Sequence, residues 1–198
     1  NYQRVVYDSI EPAPLDVRVD EDGNFKARYK ISPKQQVDVH VVGSVEVFHK
    51  PFRKINDQLT DKEKTIYLAP QKYWEIDNAA IRDKANELKS PEKIYQFVTN
   101  YLSYNQERLS QPKIERKGAA TIYSTPKDAV CMEFTDLFIA LARAAGIPAR
   151  EVEGFAYTQN ERLRPLSLVT YQGDLLHAWP EYWDEQYGWI QIDPTWGS

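Results

Sequence analysis

A single cysteine, Cys131, stands among 198 residues, and its surroundings make it the first place to look for chemistry. Residues 132–145 carry the clearest helical pattern of the chain. Phe134, Leu137, Phe138 and Leu141 fall on one face, Glu133 lies in the first turn, and Gly146 followed by Pro148 ends the run. Cys131 is therefore at a helix start, where unpaired N–H groups and the positive end of the dipole favour an anion. The thiolate is the nucleophilic form of cysteine, and the same N–H groups could later hold an oxyanion. A lone cysteine is more often a small buried hydrophobe, so a nucleophile here requires a base within reach.

That base is His177. Residues 175–183 read as a strand, residues 189–193 as another, and the turn-rich stretch 184–188 between them predicts a hairpin. With the turn centred on Glu185, His177 falls directly opposite Asp193, Trp179 opposite Gln191, and Glu181 opposite Trp189. Directly opposed residues share a face, and a one-residue slip would separate them. An imidazole beside a thiol takes its proton and returns it to the leaving group, and a carboxylate on the other ring nitrogen sets the tautomer. Cys131, His177 and Asp193 are the candidate catalytic residues. His40 and His49 read as structural or surface residues. A single cysteine and three scattered histidines give no expectation of a metal, an intrachain disulfide or a cofactor.

Composition narrows the function class. Lys and Arg number 25 against 29 Asp and Glu, so the chain has no basic footprint and no nucleic-acid partner is expected. No apolar run approaches the ~18 residues of a membrane helix, so no membrane segment is expected. The chain opens at Asn1 and reads as a fragment of a longer protein, for which an extracellular or cell-envelope setting is the expectation. The oligomeric state is not legible.

Three segments position the candidate residues. Residues 1–50 read as β-rich, with a hairpin in which Leu15, Val17 and Val19 and then Phe25, Ala27, Tyr29 and Ile31 alternate around the turn at 22–24. Residues 51–76 read as a connecting segment. Residues 77–198 read as the core. They open with a helix capped by Asp77 and a second one started by Ser90-Pro91-Glu92. Residues 105–130 look irregular, and a loop of that length is often functional. Specificity is expected in 105–130 and 158–174.

Three segments then resemble a known family. Cys131-Met132-Glu133-Phe134, continuing through Leu141-Ala142-Arg143-Ala144-Ala145-Gly146-Ile147-Pro148, resembles the cysteine motif of the transglutaminase-like superfamily. His177-Ala178-Trp179 resembles its histidine motif, and Asp193-Pro194-Thr195-Trp196 its aspartate motif. The resemblance implies an α+β, papain-like transglutaminase core, with the cysteine helix packed on an antiparallel sheet that carries His177 and Asp193. It implies a thioester formed from a protein or peptide amide and resolved by water (protease or amidase) or by an amine (transglutaminase). Microbial relatives are often hydrolases. The alternative is a non-catalytic binding or scaffold domain. Animal members supply a tryptophan to the oxyanion hole. Here no Trp lies between Trp74 and Cys131, which leaves the Cys131 N–H and Tyr104 as candidates. Relatives usually continue with more strands, so the core is expected to lack part of its sheet.

Overall fold

Short-range alternation builds the first part of the chain. The computed structural model describes residues 2–48, 58–111, 113–157 and 174–197, and the chain divides into two units, Asn1–Arg53 and Lys54–Ser198. In the first unit β1 (Gln3–Glu11) pairs antiparallel with β4 (His40–Val47), with a bulge between Tyr7 and Ser9. The expected hairpin forms from β2 (Asp16–Val19) and β3 (Phe25–Arg28), Val17 facing Ala27 and Val19 facing Phe25. Gly23, at φ 87°, supplies the left-handed turn residue. The alternation does not become burial: Val17 and Val19 remain 45% and 60% exposed. A two-stranded sheet has no second layer of its own to cover them. His40 is exposed at the start of β4, and His49 lies outside the described residues.

The second unit is organised around one helix. Its elements are α1 (Asp61–Leu68), α2 (Ala79–Leu88), α3 (Pro91–Tyr101), a 3₁₀ turn (Gln106–Ser110), α4 (Ala119–Ser124) and α5 (Cys131–Ala144). The strands β5 (Ala149–Tyr157), β6 (Asp174–Asp184) and β7 (Gly188–Gln191) follow and form an antiparallel sheet in the order β5-β6-β7. Asn78, one residue after the expected Asp77, caps α2, and Ser90 caps α3 with Pro91 behind it. The segment 58–76 holds more than a connection. Thr60 and Glu63 form a capping box for α1, and Tyr67 of that helix packs edge-on against Trp189 of β7 at 4.7 Å. The stretch 105–130 likewise contains the 3₁₀ turn and α4.

Helix α5 was expected to bury one stripe. Instead every residue from Glu133 to Arg143 is buried, because α2, α3, α4, β5 and β6 all pack on it. Phe134, Leu137, Phe138, Ile139 and Leu141 are fully buried there and meet Ile81, Ile94, Val98 and Ile122 from the surrounding helices. Its buried charges find partners. Asp136 accepts from Trp74 Nε1 at 2.8 Å and Arg116 Nε at 3.0 Å. Arg143 donates to the carbonyls of Ala69 at 2.6 Å and Ala149 at 2.9 Å.

The β6–β7 register differs from expectation. Glu181 faces Gln191 rather than Trp189, and Trp183 faces Trp189, so the turn centres on Gln186. The Asp184 carboxylate accepts from the N–H groups of Gln186 (2.8 Å) and Tyr187 (2.9 Å), which sets this turn. The strand β7 stops at Gln191, short of Asp193.

Replacing Phe138 by Ala removes a fully buried ring from the wall between α5 and Tyr182 of β6. The expected loss is about 3–5 kcal/mol of unfolding free energy, measured by denaturant titration, with an unchanged midpoint excluding this packing account.

Candidate active site

Cys131 occupies the first position of α5, and the residue that caps this helix is Val130. Valine has no side-chain acceptor, so the usual Ser, Thr or Asp oxygen over the first turn is missing. Glu133 replaces only part of it: its carboxylate accepts the Val130 N–H at 3.0 Å. Among the described residues no hydrogen bond takes the N–H of Cys131. The chain enters the helix along a fixed path. Asn105 donates to the Ala129 carbonyl at 2.7 Å and Ser103 to that of Pro126 at 2.8 Å, which sets Tyr104 beside Ala129 in a parallel bridge. The thiol is half-buried.

His177 lies on β6 opposite Gly154 of β5 and is 7% exposed. Its Nε2 is 2.6 Å from Asp193 Oδ2. This contact is not the direct cross-strand pair that the sequence suggests. Asp193 sits beyond the end of β7, after Ile192 has donated to the Pro180 carbonyl at 3.2 Å. In the observed register the two are diagonal neighbours. A turn centre displaced by one residue preserves parity, so both side chains stay on one face and within reach. Asp193 Oδ1 accepts the Thr195 N–H at 3.0 Å, which holds the carboxylate in place. The terminal segment rests on α3, where Thr99 Oγ1 donates to the Pro194 carbonyl at 3.5 Å and Gly197 leaves no room for a Cβ beside the Tyr95 hydroxyl.

Two tryptophans flank the imidazole. Trp179 lies nearly parallel to it at 5.8 Å, and Trp196 meets it edge-on at 5.8 Å. Gly154 makes room for Trp179: a Cβ there would come within 2.9 Å of the indole rim. Trp196 Nε1 is also 3.2 Å from His177 Nε2. An ionised carboxylate only accepts, and the Asp193 contact is much shorter. The hydrogen therefore sits on His177 Nε2 and points to Asp193, and the indole N–H is a neighbour rather than its donor. Trp183 belongs to a separate cluster with Trp189, Tyr67 and Leu59.

The ring nitrogen left for Cys131 is Nδ1. Burial opposes a charged ring, but hydrogen bonds to Asp193 and Cys131, and the charges of both, outweigh it and raise His177 to about 9. The geometry thus suits a charged ring held by the Asp193 carboxylate beside the Cys131 sulfur.

The structure brings Cys131, His177 and Asp193 together. Sequence reasoning missed the buried pair Arg108 and Glu133 next to them. Opposite charges 25 residues apart carry no periodic signal, although an Arg on an otherwise polar turn and a Glu at the third helical position are each visible.

Comparison with known proteins bears on the same residues. A family model for the transglutaminase-like superfamily matches residues 74–194. A protein-glutamine gamma-glutamyltransferase from Pseudomonas aeruginosa is 35% identical over 89 residues, 44% of this chain and 13% of that protein. The uncharacterized protein YebA from Bacillus subtilis is 25% identical over 171 residues, 85% of this chain and 22% of its own length. The chain therefore spans less than a quarter of either curated relative. Two solved structures share the fold. The periplasmic domain of TgpA from Pseudomonas aeruginosa has a TM-score of 0.60 at 21% identity, and a candidate cysteine protease from Cytophaga hutchinsonii 0.59 at 19%. These alignments take in 98% of this chain and 63% and 66% of the other two.

Because His177 is raised from 6.5 to about 9, its charged form is favoured by folding. That stabilisation is full below pH 6.5 and is lost as pH climbs to about 9. Imidazole proton shifts followed by NMR should titrate near the upper value, and Asp193→Asn should lower the midpoint by about one unit or more. An ordinary midpoint that ignores Asp193→Asn contradicts this.

Proposed function

The chain belongs to the transglutaminase-like superfamily, and we propose from that membership that it is a cysteine acyl-transfer enzyme acting on protein or peptide amides. Cys131 is the nucleophile, His177 the acid and base, and Asp193 the group that orients the ring. The observation that carries this reading is the imidazole bound on Nε2 by Asp193 at 2.6 Å, which leaves Nδ1 for the Cys131 thiol at the start of α5.

The steps follow from those positions. The Cys131 thiolate attacks the amide carbon and the carbonyl electrons move to oxygen. The N–H of Cys131, open among the described residues, supports the resulting oxyanion. Tyr104, whose backbone pairs with Ala129 two residues before Cys131, is the candidate for a second donor. Burial, then the charges of Cys131 and Glu133, push its phenol up, so it keeps its proton. Collapse of the intermediate expels the amine, which takes the proton from His177, and a thioester remains on Cys131. The neutral imidazole then removes a proton from water, the hydroxide oxygen attacks the thioester, and the acid and thiolate separate.

Water as the acceptor makes the enzyme a protease or amidase, and an amine in its place makes it a transglutaminase. The relatives carry names from both sides, and we place water first on the likeness to a candidate cysteine protease of the same fold. The likeness to a periplasmic domain supports a cell-envelope setting. No helix among the described residues is long and apolar enough to cross a membrane. Residues 54–198 form the catalytic unit in this reading.

A glutamine-containing peptide library incubated with a fluorescent primary amine separates the outcomes. The expected result is cleavage or deamidation that is lost in Cys131→Ala, with little amine incorporated. Amine incorporation without hydrolysis would replace water by an amine, and Cys131-independent turnover would remove the mechanism.

A further inference from the structure

Glu133 is fully buried and Arg108 is 4% exposed, yet neither takes part in the steps above. Four donors converge on the Glu133 carboxylate. Arg108 Nη1 and Nη2 lie at 2.8 and 3.3 Å, and the N–H groups of Val130 and Lys117 each at 3.0 Å. Arg108 also donates to the carbonyls of Asp128 at 2.8 Å and Glu115 at 2.6 Å. One guanidinium thus ties the 3₁₀ turn, the loop before α4 and the segment entering α5 to the first turn of that helix.

The carboxylate brings a difficulty for the chemistry. Through the Val130 N–H it sits against the Ala129–Val130 peptide, one residue before Cys131. A negative charge there opposes an anion on the thiol, and buried charges are little screened by salt. The other charges facing the site do not cancel it. Lys117 is paired with Asp128, and His177 is held by Asp193. Arg108 is the cation that meets Glu133.

We propose, on the footing of the cysteine chemistry above, that Arg108 is a positioning residue for the nucleophile. Through Glu133 it seats the first turn of α5 and cancels the carboxylate charge that would otherwise oppose the Cys131 thiolate. Truncating Arg108 leaves a buried carboxylate near the sulfur, and neutralising Glu133 leaves an arginine that keeps its proton. The two single changes therefore act on the thiolate with opposite sign, and the double change removes both effects.

Cys131 is the only cysteine, so ultraviolet thiolate absorbance, corrected with a Cys131→Ser blank, reports it alone across a pH series. Glu133→Gln should move the midpoint to lower pH by about one unit, and Arg108→Met should move it to higher pH by about as much. The double variant Arg108→Met/Glu133→Gln should return close to wild type. A merely structural role lowers the melting temperature of all three and leaves the midpoint in place. That result, or shifts of one sign in both single variants, overturns the inference. If Arg108→Met does not fold, Glu133→Gln decides alone: a shift to lower pH upholds the inference and an unmoved midpoint overturns it. A wild-type midpoint indifferent to His177→Ala overturns the underlying active-site reading instead, so the two failures are distinguishable.

Discussion

A helix buried along almost its whole length cannot leave its polar side chains to water, and α5 meets that constraint at both ends. Near its C-terminus Arg143 caps the carbonyls of Ala69 and Ala149 and lies over the Trp74 ring at 4.3 Å. In its middle Asp136 is held by Trp74 and Arg116, and Arg116 reaches on to Glu151 of β5 at 3.0 Å. At its start Glu133 gathers the 3₁₀ turn and the incoming chain. Breaking one partner of such a pair strands a charge in the interior, which is costly. The position of the first turn, and of the sulfur it carries, is thereby set by contacts from most of the second unit.

The site uses what that helix leaves open. A valine at the cap withholds the usual side-chain acceptor, so the first N–H groups keep their capacity for an anion. Opposite them the sheet delivers one imidazole, aligned by a carboxylate that lies just beyond the last strand. Burial alone would keep the ring neutral, and its contacts with Asp193 and Cys131 reverse that. The tryptophans at either side supply apolar walls that keep those interactions strong.

Much of this was legible locally. The Cys131 helix, the Ser90-Pro91 start and the β2–β3 hairpin follow from caps, turn residues and periodicity within a few residues of each other. The family motifs marked the site residues, and the match over 74–194 agrees with the family so identified. What was missed was non-local or carried by a signal left unread. Helix α1 has little apolar periodicity, yet its Thr60–Glu63 capping box was in view. The turn before β7 centres one residue later than the strand pattern suggests because the Asp184 carboxylate takes the N–H groups of Gln186 and Tyr187. Same-face placement of His177 and Asp193 survived because the displacement kept parity. The burial of α5 on every side, and the Arg108–Glu133 pair with it, depends on elements distant in sequence and has no local trace. The expected specificity stretch 158–174 lies outside the described residues apart from its last position.

The central claim is a thiolate on Cys131 maintained by His177, and alkylation tests it without knowledge of the substrate. The rate of iodoacetamide reaction should already be near its plateau at neutral pH in the wild-type protein and should collapse there in His177→Ala. A rate that rises only around the ordinary thiol value of about 8.5, and is the same with and without His177, would contradict the account.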